Sequence, residues 1–333
     1  YKPLSFSKMK GIPTRKTMKV AKISASIVLT KEHKNTFQVL LLQRKKSMSY
    51  GGAWVFPGGK VDKADSYTDW KENFPGTSQW RDYTDSHMEF TRRICAIRET
   101  YEETGIMLDK TLTSEKYSKI PQANRNTTPF VTICKDFNIQ PDVDAMPNFF
   151  NVITPEHMPA RFNTGFYHYD ITKLMEEQGQ SVTIDHESDS YSWFEPRVAL
   201  EKFAKREIFL EPPQIMILFM FMNCTSAQQM QDIVNNRDLM PQHTFIPFFF
   251  KTKTKTPSGE EQECVRGVLN GDSEYPYENN LYRPSNSLNR MNIFSTGMQV
   301  QVTKDVRTLP NIVNGKRRDM DLFLPFMAKS KLQ

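Results

Sequence analysis

No stretch of this 333-residue chain is apolar for long enough to span a bilayer. The best run, Ile215–Met222 (IMILFMFM), has the length of a buried helix. Cysteine is scarce as well. Cys95, Cys134, Cys224 and Cys264 are scattered, with no CxxC pair, which argues against a disulfide framework or a zinc cluster and leaves a reducing compartment as the default. Neither sign of charge dominates. The 44 Lys and Arg exceed the 38 Asp and Glu by a net +6, which helps anionic ligands and is too little to argue for DNA. Acidic residues are missing before Glu32, a stretch that holds eight Lys and Arg and reads as a basic N-terminal arm over residues 1–18, with a weak likeness to a mitochondrial presequence. There is no internal repeat. With 25% charged and 38% apolar residues, what remains is the composition of an ordinary folded protein with a substantial core.

The β-branched and apolar segments KVAKISASIVLT (Lys19–Thr30) and TFQVLLLQ (Thr36–Gln43), joined by KEHKN, predict a strand pair. YGGAWVFPGGKVD (Tyr50–Asp62) places a short apolar strand between two glycine pairs. Asp65 to about Ser86 has no clear period and reads as a surface insertion. A helix follows from His87 to Thr104, with Ser86 and Glu89 spaced as a capping box and Gly105 as its stop. Further helices are expected at Thr128–Phe137, Arg197–Lys205, Pro212–Met222 and Ser226–Asn236. Strands are expected at Asn148–Thr154, Thr164–Asp170 and Ser190–Phe194. The segment KTKTKTPSGEEQE (Lys251–Glu263) reads as a mobile charged loop or hairpin tip in a C-terminal extension, 251–333, that has strand-like pieces and no motif of its own.

The chemistry sits in RICAIRETYEETGIML (Arg93–Leu108). On a helix with Glu99 at 0°, Glu102 falls at about 300° and Glu103 at about 40°, whereas Phe90, Ile94, Ile97 and Tyr101 fall between about 160° and 220°. The apolar stripe therefore faces away from three carboxylates that point one way. Like charges at these spacings cost about 0.2–0.5 kcal/mol each on an exposed helix, and the C-terminal half of a helix disfavours anions. Arg98, at about 260°, relieves one flank only. From the spacing alone a solvated face is the simpler account; a divalent, oxygen-loving cation is the alternative.

The flanking residues change that balance. Gly58–Gly59 followed by RETYEETGI (Arg98–Ile106) resembles the Nudix box, G-x5-E-x7-R-E-U-x-E-E-x-G-U with U aliphatic. Arg98, Glu99, Glu102, Glu103, Gly105 and Ile106 match, and Thr100 departs mildly. The box spaces its glycine and arginine by 14 residues, whereas Gly59 and Arg98 are 39 apart, so 25 extra residues interrupt it. Counting back from Arg98, the box's upstream Glu would fall at Phe90. The interruption, together with VLLLQRKKSMSYGGAWVFPGGKVD, PARFNTGFY, SYSWFEPRVALEKF, REIFLEPPQ and LNGDSEYP, resembles the acyl-CoA diphosphatase branch, the Nudix motif-19 proteins, over roughly residues 20–280.

That resemblance implies an α/β Nudix fold, with a mixed sheet between helices, over residues 19–250, the insertion occupying about 62–86. It implies Mg²⁺- or Mn²⁺-dependent hydrolysis of CoA or acyl-CoA to 3′,5′-ADP and (acyl-)4′-phosphopantetheine. Glu99, Glu102 and Glu103 would hold metal and Arg98 would brace the helix and orient a glutamate. Glu187 in HESDSYSW is the candidate base, with Glu156 as its rival and His186 read as solvated. Arg44 and Lys46 are candidates for the CoA 3′-phosphate, Arg161 for a phosphate and Phe162 for stacking, beside the Gly58–Gly59 loop. Peroxisomal residence is implied too, although Ser330-Lys331-Leu332 stands one residue before Gln333 and that address is read at the very C-terminus; mitochondrial and cytosolic placement stay open. NAD(H), ADP-ribose or an RNA cap are alternative substrates, and a catalytically silent binding module is an alternative of another class. The sequence sets no oligomeric state.

Overall fold

The computed structural model describes residues 20–47, 51–74, 86–123, 125–155, 158, 160–236, 239–240, 244–270, 272–275, 288–294, 297–302, 312–313, 316–317 and 320–325. The basic arm at 1–18, residues 75–85 of the insertion, Glu156 and Ser330–Leu332 lie outside them.

A mixed sheet carries the fold. β1 (Lys22–His33) and β2 (Thr36–Arg44) form an antiparallel hairpin. β3 (Ala53–Val55) continues on β2, and β4 (Gly58–Lys60) crosses onto β1 with Ala25 opposite Gly59 and Ser26 opposite Gly58. β5 (Asn148–Ile153), β6 (Phe162–Asp170), β7 (Ser188–Phe194), β8 (Phe209–Leu210) and β9 (Thr244–Phe245) complete it. The strand order is β8-β3-β2-β1-β6-β5-β9, with β7 on β2; β1–β6, β3–β8 and β5–β9 are parallel, and the rest antiparallel.

Alternation along β1 and β2 divides the core between two faces. Ala25, Ile27, Leu29, Leu40 and Leu42 point to one side, where they meet Phe90, Ile94, Ile97 and Tyr101 of α2 (His87–Thr104). That is the apolar stripe expected from the sequence. Each of these four helix residues is 0% exposed, and burying such a side chain stabilises the fold by about 1.5–3 kcal/mol. α1 (Tyr67–Asn73), the short α3 (Ser114–Ser118), α4 (Phe130–Asp136) and α5 (Thr172–Gln178) also lie in this part of the molecule, with Trp70, Phe130, Ile133 and Leu174 in the same core. On the other face Val28, Phe37, Val39 and Leu41 meet α6 (Pro196–Ala204), α7 (Pro212–Phe221) and α8 (Ala227–Asn235).

A second, antiparallel sheet follows: β10 (Phe248–Lys255), β11 (Glu261–Val268), β12 (Asn289–Phe294), β13 (Gly297–Val302) and β16 (Met320–Pro325), beside a two-residue ribbon of β14 (Ile312–Val313) and β15 (Lys316–Arg317). Its Met291, Met298 and Val300 join the core that holds α7. This explains why α7 is apolar all round: Ile215–Phe221 are buried between two layers, and Met216, Phe219 and Met220 also line a small apolar cavity against the second sheet.

Three expectations need correction and a fourth is narrowed. Lys251–Glu263 is the end of a hairpin rather than a mobile loop: Lys253 faces Glu263 and Lys255 faces Glu261 across the β10–β11 pair, and only the turn is irregular. Opposite charges in register stabilise such a hairpin by about 0.2–1 kcal/mol per pair, which accounts for the charged composition. The insertion is not merely surface. Trp70 of α1 is 1% exposed, its indole N–H donates to Ala64 O at 2.9 Å, and its ring stacks on Phe74. The capping box does not form: the Ser86 side chain makes no capping bond, the Glu89 N–H goes to the Ser86 carbonyl at 2.9 Å, and the Glu89 carboxylate is engaged by Arg93 at 3.2 Å and by the Tyr167 hydroxyl. The short α3 and α5 were not foreseen.

Candidate active site

α2 presents its carboxylates to the loop that follows β3. Glu103 is 7% exposed, and one of its oxygens accepts the Gly58 N–H at 2.9 Å. Gly59 has no room for a side chain: a Cβ there would stand 2.3 Å from the Glu99 carboxyl carbon. The glycine pair thus lets β4 pair with β1 while lying directly over α2. That requirement underlies the Gly-Gly of the sequence pattern.

Arg98 relieves more than the one flank expected of it. Its guanidinium binds Glu99 at 3.0 Å, Glu102 at 2.8 Å and the Lys60 carbonyl at 3.0 Å. It also takes Asp65 through a two-bond fork of 2.8 and 3.0 Å. Asp65 is 1% exposed and stands on a single 3-10 turn, Lys63–Asp65, capped by Asp62. Asp65 is six residues after Gly59, the place of the upstream Glu in G-x5-E. Counting back from Arg98 had put that Glu at Phe90, a 0%-exposed core residue. Counting forward from Gly59 finds it, shortened to Asp, with the extra residues inserted after it. The brace between loop and helix is therefore intact.

Three carboxylates, Asp65, Glu99 and Glu102, bond one guanidinium, and Glu103 stands beside them on the Gly58 N–H. Burial pushes Glu99 up to about 7, with the charge of Glu102 adding to the effect against Arg98. Burial likewise raises Glu102 despite Arg98. Glu103 is raised well above the usual range, by burial and then by Glu99; the Gly58 N–H and the charge of Arg44 oppose the rise. Burial works against the Arg98 charge too, but its bonds to Asp65 and the charge of Glu99 more than offset that. Among the described residues, no group of three or more His, Cys, Asp or Glu side chains has an arrangement that could hold a metal ion. Glu99 and Glu102 are turned to Arg98, and Glu103 to Gly58.

Glu187, exposed, directly precedes β7 and comes close enough for its charge to act on Glu102. Its N–H donates to Asp185 at 2.9 Å, and its carbonyl accepts the Lys45 N–H at 3.1 Å. Arg44 ends β2 opposite Ser188, and its charge acts on Glu103. Lys46 is exposed in the turn beyond. Arg161 and Phe162 are not on this helix. They lie at the start of β6, where Phe162 pairs with Lys22 and the Arg161 Nε donates to Thr154 O at 3.0 Å, across β1 from β4. His186 is exposed, 3.6 Å from Asp185. The residues that sequence reasoning missed are Asp65, Asp185 and Arg125. Asp65 was readable by spacing; the other two carry no motif.

A mixed sheet between helices, with R-E-x-x-E-E-x-G on a helix beneath a Gly-Gly strand, defines the class: this is the fold of the Nudix hydrolases. The crystal structure of a Nudix hydrolase from Alicyclobacillus acidocaldarius is similar to it, with a TM-score of 0.50 at 21% identity, covering 65% of this chain and 97% of that one. Residues 82–220 match the family model described as the NUDT19 Nudix domain. The chain is 26% identical over 315 residues to the acyl-coenzyme A diphosphatase NUDT19 of Xenopus laevis, spanning 78% of this chain and 77% of that protein. It is 25% identical over 341 residues to the protein of the same name from Homo sapiens, spanning 89% and 85%.

Proposed function

We propose that this chain hydrolyses the diphosphate of CoA and acyl-CoA, yielding 3′,5′-ADP and 4′-phosphopantetheine or its acyl form. The relatives named acyl-coenzyme A diphosphatase support the substrate, since they align with most of the chain. The observation that carries the chemistry is the excess of buried carboxylate over cation on α2, held against the Gly58–Gly59 strand. Glu99, Glu102 and Glu103, here spent on Arg98 and on the Gly58 N–H, are the residues that would turn to hold Mg²⁺ or Mn²⁺, hard dications that take carboxylate oxygens. Such an ion, when bound, supplies neutralisation of the diphosphate charge and a lowered pKa for bound water.

The chain's own groups do the rest. Arg98 holds Glu99 and Glu102 at the helix face and ties that face to Asp65. Glu187, beside Glu102 and open to solvent, accepts the proton of the attacking water. Arg44 and Lys46, at the mouth of β2, meet the 3′-phosphate, while Arg161 and Phe162 supply a second phosphate contact and a stacking surface. Peroxisomal residence belongs to the same reading and rests on the family resemblance alone. No helix among the described residues is long and apolar enough to cross a membrane.

A side-by-side assay of CoA, acyl-CoA, NADH and capped RNA with Mg²⁺ or Mn²⁺ tests the substrate. CoA and its esters are expected to give the highest kcat/KM. A dinucleotide or a cap cleaved far faster than CoA would overturn the assignment.

A further inference from the structure

A helix leaves its last four carbonyls without partners inside the helix. In α2 these belong to Tyr101, Glu102, Glu103 and Thr104, so the backbone to be satisfied is that of the carboxylate cluster itself. Gly105 N–H takes Tyr101 O at 2.8 Å. The other three are taken from outside. Thr183 N–H donates to Thr104 O at 2.8 Å, Asp185 N–H to Glu103 O at 3.3 Å, and Arg125 Nε to Glu102 O at 3.2 Å. Arg125 is 6% exposed. Its remaining donors reach Thr183 O at 2.6 Å, Thr183 Oγ1 at 2.9 Å and Gln122 O at 2.8 Å. One guanidinium therefore bonds both the end of the glutamate helix and Thr183, at the start of the loop segment 183–187.

That segment is what carries Glu187. Thr183 is pinned by Arg125 and by Thr104, Asp185 by Glu103, and the Asp185 carboxylate receives the Glu187 N–H at 2.9 Å. The loop that bears Arg125 is itself held on α2, because the Tyr101 hydroxyl donates to Pro121 O. Gly105, the last glycine of the Arg98–Ile106 pattern, has φ of 75°, and a Cβ there would stand 2.5 Å from Gln122 Oε1 and 2.6 Å from Thr183 Oγ1. The tightness of this junction is thus written into the motif. A cation at the negative end of the helix dipole is also favourably placed.

We propose that Arg125 is a positioning residue: it sets where Asp185 and Glu187 stand relative to Glu102 and Glu103. The proposal rests on the reading of Glu187 as the proton acceptor. The effect of Arg125 passes through Thr183 and the backbone of 183–187, to which its donors are committed. Lysine cannot replace it fully, since three of its donors act in different directions at once.

The test has two arms. Amide hydrogen exchange needs no substrate: in Arg125→Ala, exchange at Thr183 and Asp185 should rise while the α2 interior stays protected. The kinetic arm is a double-mutant cycle. Arg125→Ala should lower kcat by about 10- to 100-fold with KM within about 2-fold, and Arg125→Lys should recover part of the loss. In a Glu187→Gln background the same Arg125→Ala change should cost less than about 3-fold. If Arg125→Ala fails to fold, Arg125→Lys carries both comparisons. Unchanged exchange at Thr183 and Asp185, an equal loss of kcat in both backgrounds, or a Glu187→Gln variant as active as the parent would each overturn the proposal. A parent protein that leaves CoA intact would instead sink the substrate reading, and the exchange arm would still decide the placement.

Discussion

At the scale of single residues, the site is organised by charges that are hidden rather than displayed. Arg98 was legible as a brace from its place in the pattern. Its second partner was not, because Asp65 is separated from it by the insertion and the count from one end of the pattern led to Phe90. The three glutamates were legible as a cluster aimed one way. Their burial was not, since it comes from β4 folding over them.

Glu211 gives a test that stands apart from the cluster. It precedes the double proline of α7, and burial alone raises it to about 7 from the 4.5 of the free carboxyl. Below about pH 4.5 the group is protonated in both folded and unfolded chains and costs nothing. As the pH rises from about 4.5 to about 7, the unfolded chain ionises while the folded site resists, so folding stability is lost across that window and the loss levels off above it. Glu211→Gln should therefore leave the unfolding free energy unchanged near pH 4 and raise it at pH 8 by an amount on the order of 2–3 kcal/mol. Urea unfolding at the two pH values reads this directly, and an equal effect at both would contradict it.

At the scale of elements, periodicity served well wherever one face of a segment was buried. The β1–β2 hairpin, α2, α6 and α8 follow from the alternation and the i, i+3, i+4 spacing, and α7 from the length of its apolar run. The insertion defeated that reading, because it packs through a few aromatic side chains rather than through a repeating stripe. Trp70 against Phe74 and Phe130, and Tyr67 against His87 and Phe90, attach α1 to α2 and its surroundings. The same short segment presents Asp65 to Arg98. Trp70→Ala should cost about 3–5 kcal/mol of stability, a core-sized loss for a residue in an insertion. Chemical denaturation measures it; a loss below about 1 kcal/mol would show that the insertion is not part of the core.

At the scale of the whole molecule, the first sheet and the helices beside it agree with what the family pattern implied. The second sheet was visible only as strand-like pieces. Its β11–β12 pairing bridges residues 268 and 290, and β13 pairs with β16 across residues 302 and 320; separations of this kind leave no local signature. Its consequence is global all the same, since α7 is enclosed between the two sheets and joins them in one core. The site lies on the other face of the first sheet, where α2, β4 and the start of β7 meet.

The central claim is that the glutamate face of α2 drives metal-dependent cleavage of CoA. The most direct measurement is product analysis by liquid chromatography and mass spectrometry of CoA incubated with Mg²⁺ or Mn²⁺ and either the parent protein or Glu102→Gln. The account predicts 3′,5′-ADP and 4′-phosphopantetheine from the parent only when metal is present, and a loss of more than about 100-fold in Glu102→Gln with the fold retained. Turnover that is unchanged in Glu102→Gln, or that persists in chelator, would contradict it.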